Sequence, residues 1–268
     1  MSPLTTIAVR AARAAGDFLL RTGERLHELR VELKGPNDFV SEADREAERR
    51  IVEIIRRAYP DHAILGEEGG AQGDLGSHGA RWIIDPLDGT TNYLHDLPWY
   101  SVSIALEIRD RLEVGVVYDP VRNELFVAER GKGARLDDRR LRVSQQQKLA
   151  GAVIGTGFPF KSQRHLDAYT ESFKAVSLAG CAIRRAGSAA LDLAYVAAGR
   201  FDGFWELGLQ PWDIAAGVLL IQEAGGVVTD IRGGDRFMKT GNVVGGNLRV
   251  HQTLMDTVKP HLGADLPA

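Results

Sequence analysis

The 268-residue sequence predicts a mixed fold, with an α+β first half over residues 1–150 and an α/β second half over residues 151–268. Two observations support this prediction. Two long helical patterns open the first half, and closely spaced strand patterns follow them. Beyond residue 150, strand and helix patterns alternate instead. Because no internal repeat or low-complexity linker separates the halves, we expect them to form one compact unit.

The first two helices are predicted from apolar residues at helical spacing. The first pattern covers residues 4–29. The second follows Ser41, with Asp44 three residues further on as in a capping box, and it ends before Pro60. Between the two patterns, the segment KGPND at 34–38 predicts a loop, because Gly-Pro breaks regular structure.

The strands of the first half are short and predict a mostly antiparallel meander. The segment AILGEEGG at 63–70 begins as a strand and runs into a glycine-rich turn. Further strands are predicted at 81–85, 100–108, 112–118 and 124–129, and RGKGARLDDRRLRV predicts another hairpin. The predicted strands and helices of the second half lie at 152–156, 165–178, 181–185, 188–198, 201–206, 212–224, 226–231, 242–246 and 250–261.

The charge balance argues against a nucleic-acid-binding protein. The formal net charge is −3, so no overall positive field would hold nucleic acid, and no direct DNA binding is expected. The single cysteine, Cys181, cannot form an internal disulfide, and we expect it to be structural. Arg10, Arg13 and Asp17 interrupt the apolar residues near the start of the chain, and no apolar run reaches the roughly 20 residues of a membrane span. We therefore expect a cytoplasmic protein without membrane contact.

The segment WIIDPLDGTTNY at 82–93 places two acids at the end of an apolar strand. Turn chemistry is one explanation of Asp85 and Asp88, because Asp, Pro and Gly all favour turns. Two carboxylates held close together nevertheless repel each other unless a proton or a cation lies between them. Since Asp85 follows a very apolar strand, a hard divalent cation with oxygen ligands is the favoured interpretation.

Other acids are candidates for the same site. Each also has an ordinary explanation, and Asp213, for example, begins an apolar helix, where an acid is stabilising without any ligand. The further candidates are Glu67, Glu68, Asp38, Asp44 and Asp213. The sequence contains no HExxH zinc motif, no GxSxG elbow and no GxxxxGK[ST] phosphate loop, which argues against those other hydrolase and nucleotide-binding classes.

Five segments carry a resemblance to a known family. DPLDGTTNY at 85–93 and WDIAAGVLLIQEAGG at 212–226 resemble the two signatures of the inositol monophosphatase family. GEE at 66–68, GSAALDLAYVAAG at 187–199 and FWE at 204–206 fall where that family has its metal, phosphate and inositol contacts. The resemblance covers nearly the whole chain and is strongest to the bacterial members of extragenic-suppressor type. It implies a layered αβαβα sandwich of the inositol monophosphatase and sugar phosphatase type.

The resemblance also implies a site with two magnesium ions (Mg²⁺) and leaves a third open. The first ion would be bound by Glu67, Asp85 and the backbone carbonyl of Leu87, and the second by Asp85, Asp88 and Asp213. For the third ion the candidates are Lys34 and Asp38, and a plain surface loop is an equal alternative for that segment.

Catalytic and substrate-binding roles follow from the same resemblance. The implied catalytic residues are Glu67, Thr90 and Asp44, with Asp44 polarising Thr90. The implied substrate contacts are Asp88, Gly89, Thr90, Gly187, Ser188, Ala189, Glu206 and Asp213.

The implied activity is that of an inositol-1-monophosphatase, a Mg²⁺-dependent phosphomonoesterase. It would hydrolyse myo-inositol 1-phosphate by direct in-line attack of a metal-activated water. Two alternatives stay open. One is a related phosphatase of fructose 1,6-bisphosphate, NADP or adenosine bisphosphate, although Glu206 favours a polyol ring. The other is a regulatory protein that binds the transcription machinery. The resemblance further implies a homodimer and inhibition by lithium (Li⁺).

Overall fold

A computed structural model describes residues 1–26, 31–35, 38–76, 79–159 and 165–262, with the backbone alone for 31–35 and 38–41. Helix α1, Pro3–Gly23, begins where the Ser2 hydroxyl accepts a hydrogen bond from the Thr5 N–H at 3.2 Å. It ends at Gly23, earlier than the predicted residue 29. Helix α2, Glu42–Ala58, ends before Pro60 as predicted. The predicted Ser41 cap involves a side chain outside the described residues.

A short hairpin joins the first two helices. Its strands are β1, Val31–Gly35, and β2, Asp38–Ser41, which pair antiparallel. The prediction of a loop over 34–38 was therefore wrong at both ends, which belong to strands. Strands of four or five residues have too few positions to show alternation, and the Gly-Pro pair between them indicated a loop. The side chains of Lys34 and Asp38, and with them the proposed third ion, lie outside the described residues.

The first of two large sheets has eight strands in the order β10-β9-β8-β7-β6-β5-β3-β4. Neighbouring strands are antiparallel except for β3 and β5, so the predicted meander is confirmed. The strands are β3, Ala63–Gly66; β4, Gly70–Gln72; β5, Ala80–Asp88; β6, Ser101–Ile108; β7, Arg111–Asp119; β8, Glu124–Glu129; β9, Gly133–Leu136; and β10, Arg139–Arg140. The short strand β4 was not predicted. The sequence predicted that strand β5 ends at Asp85, but the strand continues to Asp88.

The second large sheet has five strands in the order β12-β11-β13-β15-β14, and β11 pairs parallel with both of its neighbours. Its strands are β11, Val153–Thr156; β12, Ala182–Arg184; β13, Gly203–Glu206; β14, Val227–Asp230; and β15, Val243–Gly246. The remaining helices are α3, Thr90–Leu94; α4, Leu166–Leu178; α5, Ala189–Ala197; α6, Pro211–Glu223; α7, Phe237–Thr240; and α8, Leu248–Val258. Apart from α7, a single turn, the predicted alternation of the second half is confirmed.

Successive residues of β5 face two different cores, as the two-residue period of a strand requires. Trp82 and Ile84 pack in a core with α1 and α2, whereas Ile83 between them packs in the core that contains α5 and α6. The five-stranded sheet covers α5 and α6 from the other side through Phe204, and its opposite face packs against α4 and α8 through Trp205. The layers therefore run helix, sheet, helix, sheet, helix, which confirms the predicted αβαβα sandwich.

Helix α6 lies directly against β7 of the eight-stranded sheet. A Cβ atom at Gly115 of β7 would lie 2.8 Å from the carbonyl oxygen of Ala216, so glycine permits this close approach. The helix is buried on all sides along Ile214–Ile221, as expected for an element between two sheets. Its first turn, which carries Asp213, is thereby held at the carboxyl end of β5. Among the described residues, none of the helices has the length and apolar character needed to cross a membrane.

Candidate active site

The acidic turn at the end of β5 is shaped by a β-bulge. Asp85 pairs with Ser103 of β6 and Asp88 with Ser101, so three steps along β5 match two along its partner. In a regular strand, residues three apart point to opposite faces, and the extra residue cancels that alternation. The Leu87 N–H donates a hydrogen bond to Asp85 Oδ1 at 3.0 Å, which fixes the bulge. Both carboxylates are therefore directed to the same side.

Asp213 completes a cluster of three acids with this turn. Carboxylate oxygens of Asp85, Asp88 and Asp213 all lie within 4.8 Å of one another. Asp213 is oriented by a capping box, in which its Oδ2 accepts the Gln210 N–H at 2.7 Å. Glu67 lies outside this set of three but lines the same cavity.

The electrostatics of the cluster fit a divalent cation. Burial raises the pKa of the Asp85 carboxyl well above its usual range, and the charges of Glu67, Asp88 and Asp213 raise it further. Ionised oxygens converging on one point are the ligand set that hard divalent cations prefer. Asp85, Asp88 and Asp213 could hold such an ion together.

Asp88 is anchored by the start of α5. Its Oδ2 accepts hydrogen bonds from the Ser188 hydroxyl at 2.6 Å and from the Ala190 N–H at 2.7 Å. Ser188 is also the N-cap of that helix and accepts the Leu191 N–H at 3.4 Å. The segment predicted to contact substrate is thus bonded directly to a residue of the acidic cluster.

A second set of acids, on α2, supports the turns that face the cavity. Thr90 Oγ1 lies 2.8 Å from Asp44 Oδ1 and 3.1 Å from the Leu87 carbonyl, so the predicted Thr90–Asp44 pair is present. Glu48 accepts the N–H groups of Glu68 and Gly69 at 2.9 Å and 2.7 Å. The sequence analysis missed Glu48, although its place four residues after Asp44 on the same helix face was a usable signal.

Gly89 has a backbone conformation that requires glycine. Its φ is +103°, and a Cβ atom there would lie 3.0 Å from the Trp99 carbonyl oxygen and 3.2 Å from that of Gly187. The Asn92 side chain donates to the carbonyls of Trp99 and Ala186 at 2.7 Å and 2.9 Å. The acidic turn, the approach to β6 and the segment before α5 therefore meet at one junction.

One cavity of about 150 Å³ contains nearly all of the predicted site residues. Those that line it are Glu67, Asp85, Leu87, Asp88, Gly89, Thr90, Gly187, Ser188, Ala189, Glu206 and Asp213. Asp44 stands behind Thr90. The cavity is also lined by Arg185 and Asp192, neither of which was predicted as a catalytic, metal-binding or substrate-binding residue. Burial raises the pKa of the Glu206 carboxyl well above its usual range, Asp213 adds to the effect, and Arg185 opposes it.

Cys181 lies apart from this cavity. It is half-buried, its thiol donates to the Leu149 carbonyl at 3.3 Å, and burial raises its pKa. A thiol with a raised pKa is a poor nucleophile, in agreement with a structural role.

The chain is similar to known proteins in both sequence and fold. The model of the inositol monophosphatase family matches residues 1–262. The chain is 51% identical to the Nus factor SuhB of Pseudomonas aeruginosa over 99% of both chains. Its fold matches the crystal structure of the extragenic suppressor protein SuhB from Bartonella henselae with a TM-score of 0.93 at 46% identity, covering 96% of this chain and 99% of that one. It also matches the inositol monophosphatase of Anabaena with a TM-score of 0.82 at 38% identity, covering 97% and 96%.

The chain belongs to the inositol monophosphatase family. Membership supports the chemistry of a phosphatase of this superfamily, whose members generally depend on Mg²⁺. The acidic cluster is consistent with that dependence.

Proposed function

We propose that this chain is a Mg²⁺-dependent phosphomonoesterase that hydrolyses myo-inositol 1-phosphate to inositol and phosphate. The observation that carries the proposal is the convergence of Asp85, Asp88 and Asp213 within 4.8 Å at a cavity that also contains Glu206. Such a cavity offers a cation site for the phosphate and hydrogen-bond acceptors for the alcohol. The Anabaena relative, at 38% identity, is named an inositol monophosphatase.

The acids would hold Mg²⁺ in the pattern that the sequence suggested. Asp85, the most buried of the three, would be the shared ligand, Asp88 and Asp213 would complete the set, and Glu67 with the Leu87 carbonyl would extend it. Bound Mg²⁺ would offset the negative charge of the cavity, lower the pKa of a water and stabilise the departing alkoxide. The bulge in β5 and the capping box of α6 keep these carboxylates in place before any ion arrives.

Thr90 and Glu67 would orient the attacking water. A hydroxyl group has one hydrogen, and that of Thr90 is directed to Asp44 at 2.8 Å. The lone pairs of Thr90 Oγ1 are then available to accept a hydrogen bond from a water in the cavity. Glu67 would take the proton that this water loses as it attacks phosphorus. Glu48 fixes the turn that carries Glu67.

The alcohol half of the substrate would lie toward Glu206. This residue ends β13 and is buried at 7% exposure, so its oxygens are available to the cavity rather than to bulk water. Ser188 and Ala189, at the start of α5, form the adjacent wall. We therefore assign substrate recognition to these residues.

A panel of substrates tests the proposal. Phosphate release would be measured from inositol 1-phosphate, with fructose 1,6-bisphosphate, NADP and adenosine 3′,5′-bisphosphate in parallel, each with Mg²⁺ and with EDTA. We expect release that requires Mg²⁺ and is fastest with inositol 1-phosphate. Comparable rates with several substrates would indicate a broader sugar-phosphate phosphatase. No release from any substrate would contradict the proposal.

A second candidate function is supported by a different observation. Relatives at about half identity, including those of Pseudomonas aeruginosa and Escherichia coli, are named Nus factors. We propose on that basis that the chain also binds a component of the transcription machinery. A pull-down with the unaltered chain and with Asp88→Asn would test it: equal capture by both would show that partner binding is separate from catalysis, and no capture by either would contradict it.

A further inference from the structure

Asp192 is a buried acid in the cavity to which the proposed chemistry gives no task. It lies in the first turn of α5, is 1% exposed and lines the same cavity as the acidic cluster. Its Oδ1 atom is buried and has no hydrogen-bond partner among the described residues. A buried carboxyl oxygen without a partner lowers stability, so its presence calls for a functional explanation.

A contact with Trp99 does not fully explain why Asp192 is buried. The indole of Trp99 is placed to hydrogen-bond the Asp192 carboxyl, which lowers the pKa of that carboxyl. Neither Trp99 Nε1 nor Asp192 Oδ1, however, completes a hydrogen bond of acceptable geometry within the described part of the chain. The dominant effect on this pKa is burial, which raises it, and Glu206 and Asp88 raise it further. Within the described residues, Asp192 Oδ1 is thus left without a well-formed hydrogen bond.

Asp192 and Glu206 lie side by side over one face of β11. Asp192 Oδ2 would be 3.3 Å from a Cβ atom at Gly155, and a Cβ atom at Gly157 would collide with the Glu206 carboxylate. Gly155 and Gly157 are two residues apart, so they face the same side of the extended chain. The absence of side chains at these two glycines makes room for both carboxyl groups. Arg185, in the same cavity, lowers the pKa of both carboxyls, but burial outweighs it and both pKa values stay well above their usual range.

We propose that Asp192 is a second acceptor for the hydroxyl groups of the substrate's alcohol half and that, with Glu206, it makes the cavity select polyols over alcohols without hydroxyl groups. The inference rests on the proposed phosphatase function and adds a specificity-determining residue to it. A carboxyl group can accept hydrogen bonds in either protonation state, so a pair of carboxyl groups suits a ligand with several O–H donors. A site built to bond a hydroxyl discriminates strongly against an analogue that lacks it.

Two substrates and two variants test this inference. The kcat/KM would be measured with inositol 1-phosphate and with p-nitrophenyl phosphate, whose leaving group has no further hydroxyl. We expect Asp192→Leu to lower the kcat/KM for inositol 1-phosphate about 10–100-fold and to leave that for p-nitrophenyl phosphate within about threefold. Asp192→Asn keeps one acceptor oxygen, so we expect a smaller decrease in its kcat/KM for inositol 1-phosphate. Equal losses with both substrates would overturn the inference.

Thermal unfolding supplies a readout that does not depend on turnover. Replacing an unsatisfied buried acid with an apolar side chain of similar shape should raise the unfolding temperature of Asp192→Leu by about 2–4 °C. The matched control is Asp119→Asn, because Asp119 is equally buried but accepts hydrogen bonds from the Arg122 backbone and side chain at 3.0 Å and 2.9 Å. This control should unfold at a lower temperature. If the unfolding temperature of Asp192→Leu fell as that of Asp119→Asn is expected to fall, the role of Asp192 would be structural and the inference would be overturned.

The failure of this inference and the failure of the proposed function give different results. If the unaltered chain hydrolyses neither substrate in the presence of Mg²⁺, both are overturned. If it hydrolyses both substrates and the variants keep its ratio of kcat/KM values, the inference alone is overturned.

Discussion

Asp88 is the residue at which the acidic turn of β5 and the start of α5 meet. Because it lies within 4.8 Å of two other carboxylates, replacing it with Asn removes a ligand charge and relieves repulsion, while its side-chain oxygen can still accept from Ser188 and Ala190. We expect Asp88→Asn to lower Mg²⁺-dependent phosphate release by more than about 100-fold, since even residues behind the ligands contribute 10–100-fold. The unfolding temperature without Mg²⁺ should not fall. Wild-type turnover would remove Asp88 from the metal site.

Asp44 allows the same Asp-to-Asn substitution at a residue that reaches the site through its hydrogen bond with Thr90. Its carboxylate accepts from Thr90 at 2.8 Å and does not line the cavity. Asp44→Asn should therefore lower kcat by about 10–100-fold and change KM little. Steady-state kinetics on purified protein would show this. A loss as large as that of Asp88→Asn would place Asp44 in direct contact with the reacting groups.

The residues that sequence reasoning found and missed differ in their local context. Asp85, Asp88 and Asp213 stand at the ends of apolar segments, where an acid is conspicuous. Glu48 and Asp192 lie inside helical patterns, where an acid is ordinarily assigned to the solvent side. Both are in fact buried, at 4% and 1% exposure. Burial of a polar residue within a helix depends on what packs against it, which the spacing of apolar residues along the chain does not specify.

At the scale of elements, most strands and helices could be predicted, and those that were missed are short. Strands β5 to β8 and helix α6 have enough residues to show a period, whereas β1, β2, β4 and α7 have three to five. The bulge between Asp85 and Asp88 was also hidden, because it depends on pairing with Ser101 and Ser103 of β6. Such features arise from contacts between elements that are distant in the sequence.

Glu129 of β8 attaches the start of α1 to the sheet. Its Oε1 accepts the Ser2 N–H at 2.9 Å and its Oε2 accepts from Lys132 at 2.6 Å. Burial would raise the pKa of this carboxyl, but Lys132, the Ser2 N–H and Thr5 outweigh burial and lower the pKa to about 2. We expect Glu129→Gln to destabilise the protein by about 2 kcal/mol near neutral pH. Its unfolding temperature should fall by about 4–8 °C.

The pH dependence of this effect follows from the direction of the shift. A carboxyl whose pKa is lower in the folded state contributes stability that is complete above its unfolded pKa and is lost as the pH falls toward the folded pKa of about 2. The destabilisation by Glu129→Gln should therefore be smaller at about pH 3 than at about pH 7. Glu113→Gln is the control, since the ion pairs that Glu113 makes with described residues, Arg111 and Arg130, are longer, at 3.8 Å and 3.5 Å. An effect of Glu129→Gln independent of pH would contradict this account.

At the scale of the whole molecule, Mg²⁺ should stabilise the fold. An ion that binds only the folded chain raises its stability by about 2.7 kcal/mol at a concentration 100 times its dissociation constant. Bound at the acidic cluster, it would also relieve the repulsion among Asp85, Asp88 and Asp213. We expect Mg²⁺ to raise the unfolding temperature of the unaltered chain and to have much less effect on Asp88→Asn. Thermal unfolding with Mg²⁺ and with EDTA would show this, and equal shifts in both proteins would place the ion elsewhere.

Inhibition by Li⁺ is a separate expectation for the unaltered chain. A small monovalent cation can occupy carboxylate oxygens but brings half the charge of Mg²⁺ to the phosphate. Phosphate release at fixed Mg²⁺ should therefore decrease as LiCl is added, and KCl at the same ionic strength should have little effect. Equal responses to the two salts would indicate a general ionic-strength effect.

The bonding of Asp88 to the start of α5, and its proximity to Asp213, have a consequence for protein synthesis. A ribosome that has released only the first 150 residues has produced Asp85 and Asp88 without the Ser188 and Ala190 groups that anchor Asp88. Asp213, which completes the acidic cluster, is made more than a hundred residues after the turn that it faces. A nascent chain therefore cannot assemble this cluster before Asp213 has left the ribosome.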